Sequence, residues 1–248
     1  MIMKEEKQKA QAIDVKGSRF LSWLDNFWYH HKWTTLVAAF LVIVFAVCII
    51  QSCTAKSSDL TVTYAGRVLF TASDKEAVEG VISDRLPDGY SEDASAEMIA
   101  YYILSKEQIE TMEKETHADG EAVYVDRAFI SSEKEKFMAQ LQTTTSSILL
   151  VEPWLYRELV GNNESTEIIK SLDEIFGETP VGALDSYGIR LGDTEMYKTN
   201  PELKCLPEDT VLCLVEKRLW QKSKEYEREM AAFKSFAKLS PAEEASNG

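Results

Sequence analysis

Fifteen consecutive residues, Leu36 to Ile50 (LVAAFLVIVFAVCII), carry no charged or strongly polar side chain. With its flanks the stretch runs from Trp33 to Cys53, twenty-one residues. At a rise of ~1.5 Å per residue, one helix of that length crosses a hydrocarbon core of about 30 Å. Val, Ile and Phe disfavour a helix in water. In lipid each unpaired backbone group costs several kcal/mol, and that term overrides the propensity. A soluble core helix would need protein on all sides, and no other part of this chain is suited to wrap it. The expectation is a single transmembrane helix over residues 33–53.

The flanks fit that reading. Residues 1–17 are polar and charged without apolar periodicity, as in a disordered cytoplasmic tail. From Gly17-Ser18 onward, Phe20, Leu21, Leu24, Phe27 and Trp28 share one helical face, so residues 18–32 read as an amphipathic helix in the membrane interface. Trp23, Trp28, Tyr29 and Trp33 supply an aromatic belt, and His30 and His31 read as interfacial polar residues. Six Lys and Arg precede the span, whereas only Lys56 and Arg67 lie in the twenty residues after Cys53. Positive-inside asymmetry then puts the N-terminus in the cytoplasm and the large domain outside. The alternatives are a cleaved signal, against which the long charged region before the apolar run argues, and lipidation at Cys53, for which Gln51 is a poor fit.

The chain carries a formal charge of −14, and the first 55 residues hold +2 of it, leaving −16 on the rest. A domain that acidic, with no basic stripe, repels nucleic acid. Its length suffices for one good-sized domain with a real core. Only Cys205 and Cys213 lie in this part. They either pair in an oxidising space or serve as small apolar residues, and one pair is no disulfide framework.

After a short polar linker at 54–59, apolar runs alternate with helical patterns. Leu60–Ala65 is β-branched and ends at Gly66, a strand. Asp74 can cap a helix through Arg85, stopped by Leu86-Pro87-Asp88-Gly89. Met98–Leu104 is a nearly continuous apolar run, as for a strand buried on both faces. Ser105 and Gln108 form a capping box for the next helix, and Val123–Val125 reads as a short edge strand. Ser132 can cap a helix to about Gln142. Ile148–Val151 is a strand, and Pro153 suits the first position of a short helix, WLYREL. A helical pattern covers Ser165–Phe176. Tyr187–Leu191 and Thr210–Val215 read as strands, and Lys222 to about Lys238 as a closing helix before a tail at 240–248. Alternation of this kind predicts an α/β domain over 60–239, a mostly parallel sheet flanked by helices.

Chemistry is harder to find. His117 is the sole histidine beyond the membrane flank, in a polar turn, so no nucleophile–histidine system is visible. Zinc needs about four N or S ligands, and three widely spread ones are present. No GxxxxGK[ST] or GxGxxG cradles phosphate, and Asp119-Gly120 lacks the alternating acids of a calcium loop. No metal and no cofactor is therefore expected. Asn163-Glu164-Ser165 matches a glycosylation acceptor, a short pattern that recurs by chance. Acids are abundant, which keeps a carboxylate pair open.

The succession TVTYAG, helix, strand, EKEKFMAQLQ, ILLVEP and WLYREL resembles the first lobe of type II bacterial extracellular solute-binding proteins, over about residues 60–176. That resemblance implies a ligand cleft following FMAQLQTTTSSILLVEP. The layout as a whole also resembles small single-span proteins of Gram-positive bacteria.

In open α/β sheets ligands bind beyond the carboxyl ends of the strands, at a switch point. Two strand ends carry unusual residues: Ala65-Gly66-Arg67, and Glu152-Pro153-Trp154 with Tyr156 beyond. If the two strands are neighbours, Arg67, Glu152, Trp154 and Tyr156 line one rim. The alternative is that the aromatics pack the short helix and the charges pair with each other. The expected function is that of a single-pass, non-enzymatic extracytoplasmic domain of the cell membrane. It would bind a small ligand or a membrane or cell-surface protein, with the lipid bilayer as its first partner. The rival is a surface hydrolase built on two carboxylates.

Overall fold

Ile148–Val151 displays how the domain is layered. All four side chains are buried; Ile148 and Leu150 face one core, and Leu149 and Val151 face the other. Only a strand covered on both faces buries every residue.

The computed structural model describes residues 27–29, 31–49, 58–115, 124–143, 146–161 and 168–240. The expected tail at 1–17, all but Ser240 of the one at 240–248, most of the interfacial helix and of the 54–59 linker, His117 and the Asn163 acceptor lie outside them. The chain divides into two units, residues 1–57 and 58–248. In the first, helix α1 (His31–Ile49) is the one helix, among the described residues, long and apolar enough to cross a membrane. Its side chains are uncovered, with Ile43, Phe40 and Phe45 largely exposed. At ~1.5 Å per residue it spans about 28 Å.

The second unit has a five-stranded sheet: β1 (Leu60–Gly66), β2 (Ala96–Tyr102), β3 (Ile148–Val151), β4 (Gly188–Arg190) and β5 (Val211–Leu214), in the order β2-β1-β3-β5-β4. β1 runs parallel to β2 and β3, while β5 is antiparallel to both β3 and β4. The sheet is thus mixed, which corrects the expected mostly parallel one. A wholly apolar strand such as TVLCLV reads the same in either direction, so its polarity was not in the pattern.

Helices lie on both faces. On one face α2 (Ala72–Asp84), α6 (Leu172–Phe176), α7 (Glu195–Thr199) and α8 (Ser223–Phe236) contribute Val78, Ile82, Ile175, Tyr197 and Phe233 to the core. On the other, α4 (Arg127–Thr143) and α5 (Pro153–Val160) contribute Phe137, Leu141, Leu155 and Tyr156, while α3 (Lys106–Lys114) seats Ile109 with Leu104 and Ile130. Each such side chain is worth ~1.5–3 kcal/mol of transfer free energy. Winding reverses at β1: the chain crosses to β2 on one side and then to β3 on the other. Accordingly α2 and α4 lie on opposite faces.

Several local expectations change. α2 is capped by Thr71, with Asp74 at the third position completing a capping box. α4 starts six residues early, at Arg127, where the Asp126 carboxylate in place of Ser132 accepts the Phe129 N–H at 2.9 Å. Tyr124 and Val125 form no strand, and of the Ser165–Phe176 pattern only Leu172–Phe176 is described as helix, while Ile169 bridges to Val215. β2 is an edge strand and is half-buried rather than covered on both faces. Two N–H groups on its outer side are bonded by α2 side chains: Ala96 donates to Ser83 Oγ at 2.9 Å and Met98 to Glu79 Oε1 at 2.8 Å.

Candidate functional site

The carboxyl ends of β2, β1 and β3 lie side by side, at the point where the winding reverses. The register continues one residue past each strand. Glu152 N–H donates to Ala65 O at 3.0 Å and Ile103 N–H to Gly66 O at 2.9 Å. This brings Arg67 and Glu152 together, as neighbouring strands require.

Glu152 holds the cap position of α5 but makes no capping bond. Its side chain turns to β1 instead. Oε1 accepts the Arg67 backbone N–H at 3.2 Å and lies 3.3 Å from Arg67 Nε, while Oε2 accepts from Nη1 at 3.4 Å. Gln108 Nε2 donates to Oε2 at 3.1 Å. The Glu152 side chain is 2% exposed and that of Arg67 43%. Arg67 Nη2 reaches on to the half-exposed Asp209 at 3.1 Å. Gly66 makes room for this: a Cβ there would stand 2.5 Å from Glu152 Cγ and 2.6 Å from Tyr64 Oη. Beneath, Tyr64 accepts the Val68 N–H, and burial pushes its phenol up.

Gln108 has two tasks. Its Oε1 accepts the Ser105 N–H at 2.7 Å, closing the capping box of α3, and its amide nitrogen serves Glu152. The helix start and the buried carboxylate are therefore mechanically linked.

Above this cluster opens a cavity of about 550 Å³, walled by Arg67, Glu152, Asp209, Trp154, Tyr102 and Met112 among others. That volume falls within the range of small-molecule sites. A second depression, about 620 Å³, lies toward α4 and shares Leu104, Ser105, Glu107, Trp154 and Arg157 with the first. Trp154 borders both. Lys134 Nζ sits 5.4 Å from its ring, and its indole Nε1 is buried without a hydrogen-bond partner. Among the described residues, no hydrogen bond or ion pair holds the exposed Arg157 guanidinium.

Three of the four expected rim residues therefore meet, and Tyr156 does not. Residues two apart on a helix point in different directions. While Trp154 borders the cavity, Tyr156 is buried against β4, its hydroxyl donating to Asp185 Oδ1 at 2.5 Å. Its phenol is pushed up by burial and by that carboxylate. Sequence reasoning missed Asp209 and the second task of Gln108. Asp209 arrives from the turn before β5, and nothing local announces it. Cys205 and Cys213 are free thiols, and Cys213 is pushed up by complete burial on β5. Among the described residues no cluster of three or more His, Cys, Asp or Glu could hold a metal ion. Comparison of the chain with protein-family models, with curated proteins and with solved structures returns no match.

Proposed function

We propose that residues 58–240 are a ligand-binding domain carried on a membrane-spanning α1, with the N-terminus cytoplasmic and the domain outside. The ligand sits in the cavity beyond the ends of β1, β2 and β3. One observation carries the reading: a guanidinium held by two carboxylates, with part of its surface open, faces an apolar wall of Trp154, Tyr102 and Met112 at the sheet's switch point. Glu152 and Asp209 orient Arg67 and leave it free to meet a polar head, while the wall takes an apolar or aromatic body. The resemblance to a type II solute-binding lobe belongs to the same proposal, since it implies a cleft at the residues following ILLVEP.

The test is a thermal-shift screen of the full chain in detergent against amino acids, organic acids, sugars and short peptides. A genuine ligand raises Tm, Arg67→Ala and Trp154→Ala each abolish the shift, and Tyr156→Phe retains it. If every hit survives both Arg67→Ala and Trp154→Ala, the site is elsewhere.

A carboxylate-based surface hydrolase remains the second reading. It is favoured by the desolvated Glu152 and the exposed Asp209 lining one cleft. Against it, both oxygens of Glu152 already accept from Arg67 and Gln108, leaving the carboxylate little freedom to exchange a proton with a substrate. Turnover of a hit compound, lost in Asp209→Asn with binding kept, would decide for the enzyme.

A further inference from the structure

The turn between β5 and α8 is built against the usual rule. Gln221 N–H donates to Arg218 O at 3.1 Å, which closes a turn with Leu219 and Trp220 at its two central positions. Such positions ordinarily take Gly, Asn, Asp, Ser or Pro. Here Leu219 is fully exposed and Trp220 is 61% exposed. Both sides of the turn are pinned. Arg218 Nη2 donates to Leu141 O at 2.6 Å, and Gln221 Nε2 donates to Ser147 Oγ at 3.0 Å and Glu229 Oε2 at 3.1 Å. The apolar pair is thus held out into solvent on a braced stem.

Charge and chain path indicate what covers it. From Lys217 to Lys224 the sequence KRLWQKSK holds four cations and no acid, in a domain of net charge −16. Lys217, Lys222 and Lys224 are exposed beside the turn. Of the nearby acids, Glu216 pairs with Lys170 at 3.3 Å, Glu225 with Lys222 at 3.1 Å, and Glu229 accepts from Gln221, while Glu227 is exposed on α8. β5 is antiparallel to β3, and β3 is parallel to β1. The end of β5 therefore lies at the end of the sheet where β1 begins, the end at which the chain arrives from α1. Residues 50–57 separate Ile49 from Ser58, a path of at most about 30 Å however it runs.

We propose that this turn docks the domain onto the bilayer that α1 spans, a step that rests on the membrane reading above. Leu219 enters the acyl boundary and the Trp220 indole sits at headgroup depth, as amphipathic aromatics do. Lys217 and Lys224 meet anionic lipid phosphates, and Lys222 stays with Glu225. The antiparallel strand thereby turns one end of the domain to the lipid and leaves the cavity, at the other end of the sheet, to the aqueous phase.

The experiment is amide hydrogen exchange on the full chain in nanodiscs. One set is phosphatidylcholine alone, the other phosphatidylcholine with phosphatidylglycerol. Docking predicts that amides 216–222 exchange several-fold more slowly in the mixed discs than in the neutral ones, and that L219S/W220S abolishes the difference while the core strands stay protected. Free exchange at 216–222 in both discs, with α1 amides protected, overturns docking and leaves the anchor intact. Exchange in α1 itself overturns the anchor and docking together. Protection that depends on protein concentration and not on lipid means a second copy covers the turn, which also overturns docking.

Discussion

Glu152 keeps a carboxylate where water does not reach, and its neighbours make that tolerable. Two donors come from Arg67 side-chain nitrogens, one from the Arg67 backbone and one from Gln108. Removing the carboxylate leaves these donors without the acceptor they share. Glu152→Ala should lower unfolding free energy by about 1–3 kcal/mol in urea titrations, discounted because Arg67 is partly solvated and keeps Asp209. Gly66→Ala should cost a similar ~1–3 kcal/mol, because the new methyl displaces Glu152 Cγ, the atom 2.5 Å from the built Cβ. Tyr156→Phe should cost only about 1 kcal/mol, since Asp185 retains the Tyr187 and Gly188 N–H donors. At this scale half of the site was readable. Arg67 and Glu152 stood at strand ends, where backbone geometry aims side chains in known directions. Tyr156 was misplaced because helical phase, not proximity in sequence, decides which way a side chain faces. Asp209, far along the chain, had no local signal.

Elements whose cues are local came through intact. Ser105 and Gln108 cap α3, Pro153 opens α5, and β1 and β3 are apolar runs of the expected length. The elements that changed depend on distant partners: β2 became an edge, β5 reversed, and α7 with its flanking 3₁₀ turns was not foreseen. α8 carries one charge at odds with its setting. Burial pushes the Glu229 carboxyl up, only partly offset by hydrogen bonds from Ser147 and Gln221. The folded state therefore holds this proton more tightly than the unfolded chain does. Its contribution is favourable to folding below the ordinary value of 4.5 and is lost as pH rises through the raised folded value. Glu229→Gln should stabilise the protein at neutral pH and flatten the stability profile just above 4.5, seen as a higher Tm at pH 7 with little change in acid.

Across the whole molecule, buried phenols set the alkaline limit. Tyr64, Tyr90, Tyr156 and Tyr226 are all pushed up chiefly by burial, Tyr90 from 10.0 to about 12. Each stays protonated in the folded state where the unfolded chain would release its proton. The stability they contribute is complete below 10 and declines as pH climbs toward about 12, so the urea midpoint should fall steadily across that window. Tyr156→Phe should soften the decline.

The two bonds from α2 to the outer side of β2 would matter most if α1 confines the chain to the plane of a membrane, as proposed above. Molecules fixed in one bilayer meet far more often than free ones, and always in a restricted set of orientations. An unsatisfied strand edge would then act as a template, recruiting the same strand of a neighbour and growing a ribbon of sheet along the surface. Glu79 and Ser83 occupy the Met98 and Ala96 N–H groups such a ribbon would need first. Under that proposal, crowding in the membrane plane would not zip neighbouring domains together through the β2 edge.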